Sequence, residues 1–314
     1  MNLTSQCIMH PKIKDTVLNN TITMKSTPRT VNRVRFGERI YTKQRFKKWR
    51  FYVDNISFDM IYCPRGHFIK KGYVKKVFDM NEASLFRSVI IEDEPILINP
   101  FYLGETEVTQ ELFEKVLNFN PSEFRGDGYP NSNKHPVENI YWYNSLRFCN
   151  KLSSIFGFKP YYIFTNGKEH SSIPKINQKS NGFRLPTTEE WKYAAMAGTQ
   201  NRYYTANQFA TFNGRDGNLN SFAWYEGNSN NQTHPVKSKL PNNWGFYDMN
   251  GNVSEMTSNI DEDDYDRNAS KVDTCGGSFK DKASKLEILK GTAQSYADSQ
   301  YKNIGFRICM NQKK

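Results

Sequence analysis

Three windows of the chain carry apolar residues at helical spacing. Thr109 opens the first, Leu112, Phe113, Val116 and Leu117 share one face, and the pattern stops before Asn120-Pro121. A second window starts near Asn139 and sets Trp142, Leu146, Cys149 and Leu152 in one stripe. It ends by Gly157, a residue that accepts the left-handed cap conformation. The third has the clearest start signal, a capping box of Thr187 and Glu190. Trp191, Ala194 and Ala195 then give a small-residue packing face, and Gly198 closes it.

Strand patterns are shorter. Residues 58–72, FDMIYCPRGHFIKKG, predict two short strands around a turn at Pro64 to Gly66. Beyond residue 200 the chain turns to Asn, Gly, Ser and aromatic residues, which predicts long loops held on a small irregular sheet. Loops of that length carry function or bind ions. No solenoid-length repeat is present, and the acidic run Asp261, Glu262, Asp263, Asp264 and Asp266 reads as a solvated loop, since the regular calcium-loop spacing is missing. The predicted class is a loop-rich α+β fold.

Composition narrows this further. With 314 residues and 37% hydrophobic content the chain can bury a sizeable core, and disorder throughout is excluded. No apolar window is long enough to span a membrane and the N-terminus lacks a secretory apolar stretch, so a cytoplasmic protein without membrane contact is expected. The formal charge of +11 is uneven: residues 1–56 hold 12 Lys and Arg against Asp15, Glu38 and Asp54. Two units are therefore expected, a basic N-terminal arm over 1–56 and a nearly neutral body over 57–314.

In the arm, Arg33, Arg35, Arg39, Arg45, Lys47, Lys48 and Arg50 alternate with Phe36, Tyr41, Phe46, Trp49, Phe51 and Tyr52. That alternation describes a half-buried strand or hairpin packed on the body. It also describes a stacking and charge platform for nucleic acid or another polyanion across residues 29–50. The cysteines Cys7, Cys63, Cys149, Cys275 and Cys309 are dispersed, with no C-x-x-C pair, and the five histidines are equally scattered. Zinc ribbons, thioredoxin-type redox motifs and metal sites built from sequence-adjacent histidines are not supported.

Several segments in fixed order then carry a resemblance. They are Pro100-Phe101-Tyr102-Leu103-Gly104 with Glu107-Val108-Thr109-Gln110, Asn120-Pro121-Ser122-x-Phe124, and His135-Pro136-Val137-Glu138 leading to Phe148-Cys149-Asn150. Arg184-Leu185-Pro186-Thr187 runs into Glu189-Glu190-Trp191, followed by His234-Pro235-Val236. Gly245-Phe246-Tyr247-Asp248-Met249-x-Gly251-Asn252-Val253-x-Glu255, Gly276-Gly277-Ser278-Phe279 and Gly305-Phe306-Arg307 complete the series. Residues 57 to 310 thereby resemble the formylglycine-generating enzyme, or sulfatase-modifying-factor, family. The resemblance implies a C-type-lectin-like fold.

It also implies site residues. Active members hold copper with two cysteines shortly after Gly-Gly-Ser, because soft thiolates suit copper(I). Those two positions fall here on Asp281 and Leu286, so no copper and no formylglycine-generating activity are expected. Asn252, the Val253 carbonyl and Glu255 match a calcium-binding stretch of the family. Ser254 and Met256 replace its two tryptophans around Glu255. Cys149 and Cys309 match positions where some members have a disulfide. A further branch of the family uses non-haem iron from a His cluster in an added domain, which has no counterpart in the arm. Another branch keeps the fold as a display scaffold, with its C-terminal loops as the binding surface. On that surface fall Ser278, Lys280, Lys282, Lys285, Lys290, Tyr296, Gln300 and Tyr301.

The expectation is therefore a catalytically inactive module that binds a small ligand or a protein partner at these loops. Two alternatives stand beside it: a metal-dependent enzyme with oxygen ligands around Asp281, and polyanion binding by the arm. Arg184, held at the Pro186 elbow, is expected to pair with a buried carboxylate.

Overall fold

The computed structural model describes residues 25–29, 34–36, 39–41, 46–70, 72–78, 86–164, 173–199, 219–261, 270–288 and 293–312. Strands β1 (Lys25–Arg29), β2 (Val34–Phe36) and β3 (Arg39–Tyr41) precede a long hairpin of β4 (Phe46–Val53) and β5 (Ile56–Cys63). A ribbon follows in which β6 (Gly66–Lys70) pairs with β9 (Glu94–Ile98) and β7 (Tyr73–Phe78) with β8 (Phe86–Ile91). The two strands expected within 58–72 are therefore present but do not pair with each other. β5 pairs instead with β4 and with β10 (Phe101–Gly104).

Helix α1 (Gln110–Leu117) starts where the sequence places it, with Thr109 Oγ1 accepting from the Leu112 N–H at 3.4 Å. Asn118 ends it in the left-handed region at φ 62°. Helix α2 (Trp142–Ile155) begins at the first residue of its apolar stripe, three residues after the start read near Asn139. Asn139 is itself left-handed at φ 61°, and the Asn144 side chain closes back on the Tyr141 N–H at 3.1 Å.

Short strands β11 (Tyr162–Ile163), β12 (Lys175–Ile176) and β13 (Phe183–Arg184) lead to α3 (Thr188–Met196). Its capping box forms as the sequence requires: Thr187 Oγ1 accepts from the Glu190 N–H at 3.1 Å, and Glu190 Oε2 accepts from the Thr187 N–H at 2.9 Å. The last part of the chain builds β14 (Ser254–Asp261), β15 (Lys271–Cys275), β16 (Ala293–Tyr296), β17 (Ile304–Phe306) and β18 (Cys309–Asn311).

Two sheets organise these elements. One has the order β1-β4-β5-β10-β18-β13, the other β16-β15-β14-β17, with β14 and β17 parallel. Among the described residues these two larger sheets, four two-stranded ribbons, three α-helices and long loops make the predicted α+β architecture. The main core lies between the first sheet and α1 and α2, where Phe51, Phe156 and Phe183 interlock with centroids 5.2 to 5.9 Å apart. Each fully buried phenylalanine contributes about 1.5–3 kcal/mol.

The β4–β5 hairpin crosses residue 56, the boundary expected from charge. Phe51 and Val53 are buried in the core and Lys48 and Arg50 turn to Asp59, so residues 46–53 are part of the sheet rather than of a free arm. The acidic stretch beyond Asp261 lies outside the described residues, and no helix among them is long and apolar enough to cross a membrane.

Candidate functional site

A buried ionic knot fixes the centre of the molecule. Arg307, which follows β17, donates from Nε to Glu255 Oε2 and from Nη2 to Glu255 Oε1, each at 2.5 Å. Its remaining N–H groups reach the carbonyls of Gly104 and Tyr247, both at 3.1 Å. Trp191 Nε1 donates to Glu255 Oε2 at 2.6 Å, so α3, β14 and the chain end meet at one carboxylate. Burial pushes the nearby Glu107 carboxyl well above the ordinary range, helped by Asp248 and Glu255.

The Gly251–Asn252 turn hangs from this knot. Gly251 has φ +80°, and a Cβ there would lie 2.0 Å from the Trp224 carbonyl oxygen. No residue with a side chain fits that approach. Asn252 Oδ1 accepts from the His234 N–H at 3.0 Å, and Asn252 Nδ2 donates to Glu107 Oε2 at 3.1 Å. Glu107 Oε1 accepts from the Val253 N–H at 3.2 Å. The calcium assignment to Asn252, Val253 and Glu255 does not fit this arrangement. Both Glu255 oxygens belong to Arg307, and the Asn252 oxygen is already an acceptor. A calcium ion needs six to eight oxygens turned toward one point, and among the described residues no group of three or more His, Cys, Asp or Glu is placed to hold a metal.

The two positions that the resemblance matches to copper-binding cysteines are equally committed. Asp281 Oδ2 accepts from the Ser278 N–H at 2.9 Å and from the Ser278 hydroxyl, closing a tight turn after Gly276-Gly277. Leu286 is fully buried against Leu219 and Ala223. One is an internal cap and the other a small apolar core, so neither offers a ligand atom to copper.

Beside this turn the surface opens into a cleft of about 590 Å³ lined by Glu123, Phe124, Tyr129, Asn231, Phe279, Lys280, Gln300, Tyr301, Lys302 and Asn303. Phe124 meets Tyr129 and Phe279 edge to face at 5.4 and 5.1 Å. Lys302 Nζ donates to Glu123 Oε1 at 2.7 Å, joining two segments of the lining. Behind the wall, Glu138 Oε1 accepts from the Phe124 N–H at 3.1 Å while Glu138 Oε2 is buried without a partner. Burial raises this carboxyl to about 8.

The wall that carries Asn231 is braced by stacked rings. Trp224 lies 3.7 Å from His234 with Lys239 on its other face at 3.7 Å, and His135 follows His234 at 6.5 Å. His135 Nδ1 meets Thr233 Oγ1 at 2.9 Å, and burial, then His234, lowers the ring to about 4, so it is neutral at physiological pH.

Of the expected binding residues, Lys280, Gln300 and Tyr301 line the cleft, and Lys282 and Lys285 are exposed on the adjoining loop. Ser278 is buried beneath the surface rather than on it, held to Asp281 and to Asn303 Nδ2 at 3.2 Å. Tyr296 lies in β16 under Lys271, apart from the cleft lining, and Lys290 lies outside the described residues. Sequence reasoning missed Glu123, Tyr129, Asn231, Lys302 and Asn303. The Asn-Pro-Ser-x-Phe motif pointed at Phe124, but pattern alone could not bring residues 123–129 against 300–303.

Cys149 and Cys309 are buried free thiols in this structure, as are Cys63 and Cys275. The Cys149 thiol lies near enough to Cys309 to help raise it, and Cys309 also approaches Glu190 Oε2 at 3.9 Å. Of the basic-arm residues, Arg33 and Arg45 lie outside the described residues, and Arg35 and Arg39 fall in the backbone of the β2–β3 hairpin. Lys47 is exposed, while Lys48 and Arg50 are taken by Asp59, with Arg50 at 2.7 and 2.9 Å. Arg184 finds its carboxylate in Glu190, bidentate at 2.7 Å, so the capping residue of α3 is also the partly buried partner of the elbow.

Residues 58–312 match the sulfatase-modifying factor enzyme 1-like domain. The chain belongs to this family. It is 34% identical over 190 residues to "Chaperone protein LppX" of Paenibacillus barcinonensis, covering 52% of this chain and 63% of that protein. It is 34% identical over 137 residues to "Inactive C-alpha-formylglycine-generating enzyme 2" of Bos taurus, covering 40% of this chain and 43% of that one. The chain thus spans less than two thirds of the length of these curated relatives. "Treponema denticola variable protein 1" superposes with a TM-score of 0.66 at 26% identity, over 84% of this chain and 99% of that structure.

Proposed function

We propose that this chain is a non-catalytic member of the sulfatase-modifying factor family whose cleft between residues 123–129 and 279–303 binds polypeptide. The observation that carries this reading is the contrast at the Gly-Gly-Ser turn. The two metal-ligand positions are consumed internally, Asp281 by Ser278 and Leu286 by Leu219 and Ala223, while the cleft next to them stays open. Rings and side-chain amides line it, the groups that give contact area at low entropic cost and adaptable hydrogen bonding. The names of the bovine relative, "inactive", and of the bacterial one, "chaperone", agree with a binding role. The metal-dependent alternative has only Asp281 to offer at this turn, already an acceptor twice.

Panning a phage-displayed random peptide library against the full chain tests the reading. Enriched peptides are expected to bind the wild type and to lose at least about tenfold in affinity in Tyr129→Ala or Tyr301→Ala, as aromatic anchors do. Circular dichroism confirms that each variant is folded. Peptides that keep their affinity in both variants, or a library that yields no binder, would overturn it.

A further inference from the structure

The rim of the cleft differs from its interior, and the difference points to the occupant. Inside are Phe124, Tyr129, Phe279 and Tyr301 with the amides of Asn231 and Asn303. Lys280 lines the cleft, and Lys282 and Lys285 follow it on the adjoining loop; all three are exposed, and none forms an ion pair among the described residues. The carboxylate between them, Asp281, is turned inward to Ser278. Glu226 and Asp298, exposed on neighbouring loops, form no ion pair with these lysines. Among the described residues the loop therefore presents exposed lysines with no ion-pair partner.

We propose that the cleft takes an acidic polypeptide segment, with an apolar side chain entering between the rings and flanking carboxylates meeting the lysine rim. This rests on the polypeptide-binding reading above and adds the chemistry of the partner. Asn and Gln amides both donate and accept, which is what an extended peptide backbone requires. Unpaired lysines raise the rate of encounter with an acidic segment and weaken with salt. Nucleic acid fits the arrangement less well. It calls for a basic track with stacking rings spaced along it, whereas these rings enclose one pocket.

The Glu123–Lys302 pair supplies a test of sign. Both side chains are exposed, 46% and 59%, so solvent screens the pair and it exchanges readily. An acidic segment that reaches Lys302 competes with Glu123 and is repelled by it. Removing that carboxylate strengthens binding.

The experiment is fluorescence polarisation of the full chain with three labelled synthetic peptides that share a central Phe. Their flanks are Glu and Asp, Ser and Gln, or Lys and Arg, and a labelled single-stranded oligothymidine serves as the fourth probe. The acidic peptide is expected to bind most tightly, to weaken with added sodium chloride, to lose about tenfold in the triple variant Lys280→Ala/Lys282→Ala/Lys285→Ala, and to gain about two- to fivefold in Glu123→Gln. Neutral or basic peptides that bind as tightly, with loss in Tyr301→Ala but not in the lysine variant, would overturn the acidic assignment and leave polypeptide binding standing. Tighter binding of oligothymidine with the same lysine dependence would overturn it in favour of nucleic acid. If no peptide of any charge binds, the polypeptide reading itself fails.

Discussion

Arg307 and Glu255 form a fully buried two-toothed ion pair, Nε and Nη2 on the two carboxylate oxygens at 2.5 Å each. The Arg307 carbonyl contacts tie the pair to residues 104 and 247, and Trp191 ties it to α3. It is the joint at which the C-terminal strands are fastened to the rest of the fold. Removing one partner leaves a buried charge without its complement, which costs about 3–5 kcal/mol. Arg307→Leu is therefore expected to lower the unfolding free energy, read from urea denaturation, by that amount. A loss under about 1 kcal/mol would mean that the pair does not carry the joint.

Glu138 gives the stability a pH dependence of definite sign. Its carboxyl, near 8 in the folded protein, ionises at about 4.3 in an unfolded chain. Folding therefore holds a proton that the unfolded chain releases in that window. The contribution is full below about pH 4 and is lost as pH rises through 8. Glu138→Gln keeps an acceptor for Phe124 and cannot ionise. It is expected to stabilise the protein by about 1–3 kcal/mol at pH 8 and to leave it nearly unchanged at pH 4, as read from melting curves. Equal effects at both pH values would contradict the assignment.

The thiols are shielded in the same way. Burial raises Cys63, Cys149, Cys275 and Cys309 above the ordinary cysteine range, and the thiolate is the reactive form. Iodoacetamide is expected to leave all four unmodified in the native protein and to label them in guanidinium, by peptide mass spectrometry. Rapid native labelling of any of them, or a Cys149–Cys309 disulfide in unreduced protein, would contradict the arrangement.

The helices and the capping box were legible in the sequence because their determinants are local. Thr109, Thr187 and Glu190 act within a few positions of where they stand. The alternation of aromatic and basic residues read as a strand packed on the body, and β4 is such a strand, but its ion-pair partner was not legible. Charge marked residue 56, but Phe51 and Val53 are core residues, and only the sheet shows that Lys48 and Arg50 answer Asp59.

The calcium reading misplaced Glu255 for a similar reason. A Glu in a Gly-Asn-rich turn looks like an oxygen ligand until Arg307, 52 positions away, is seen to occupy it. The cleft lay in between. Lys280, Gln300 and Tyr301 could be named from the loop, whereas Glu123, Asn231 and Lys302 join them only through the packing of distant segments.

The most direct test of a non-catalytic cleft is oxygen uptake by the purified full chain, loaded with copper(I), on a cysteine-containing peptide. The account predicts no copper bound after dialysis, no oxygen consumed above the protein-free control and no mass change in the peptide. Stoichiometric copper with turnover of the cysteine to an aldehyde would contradict it.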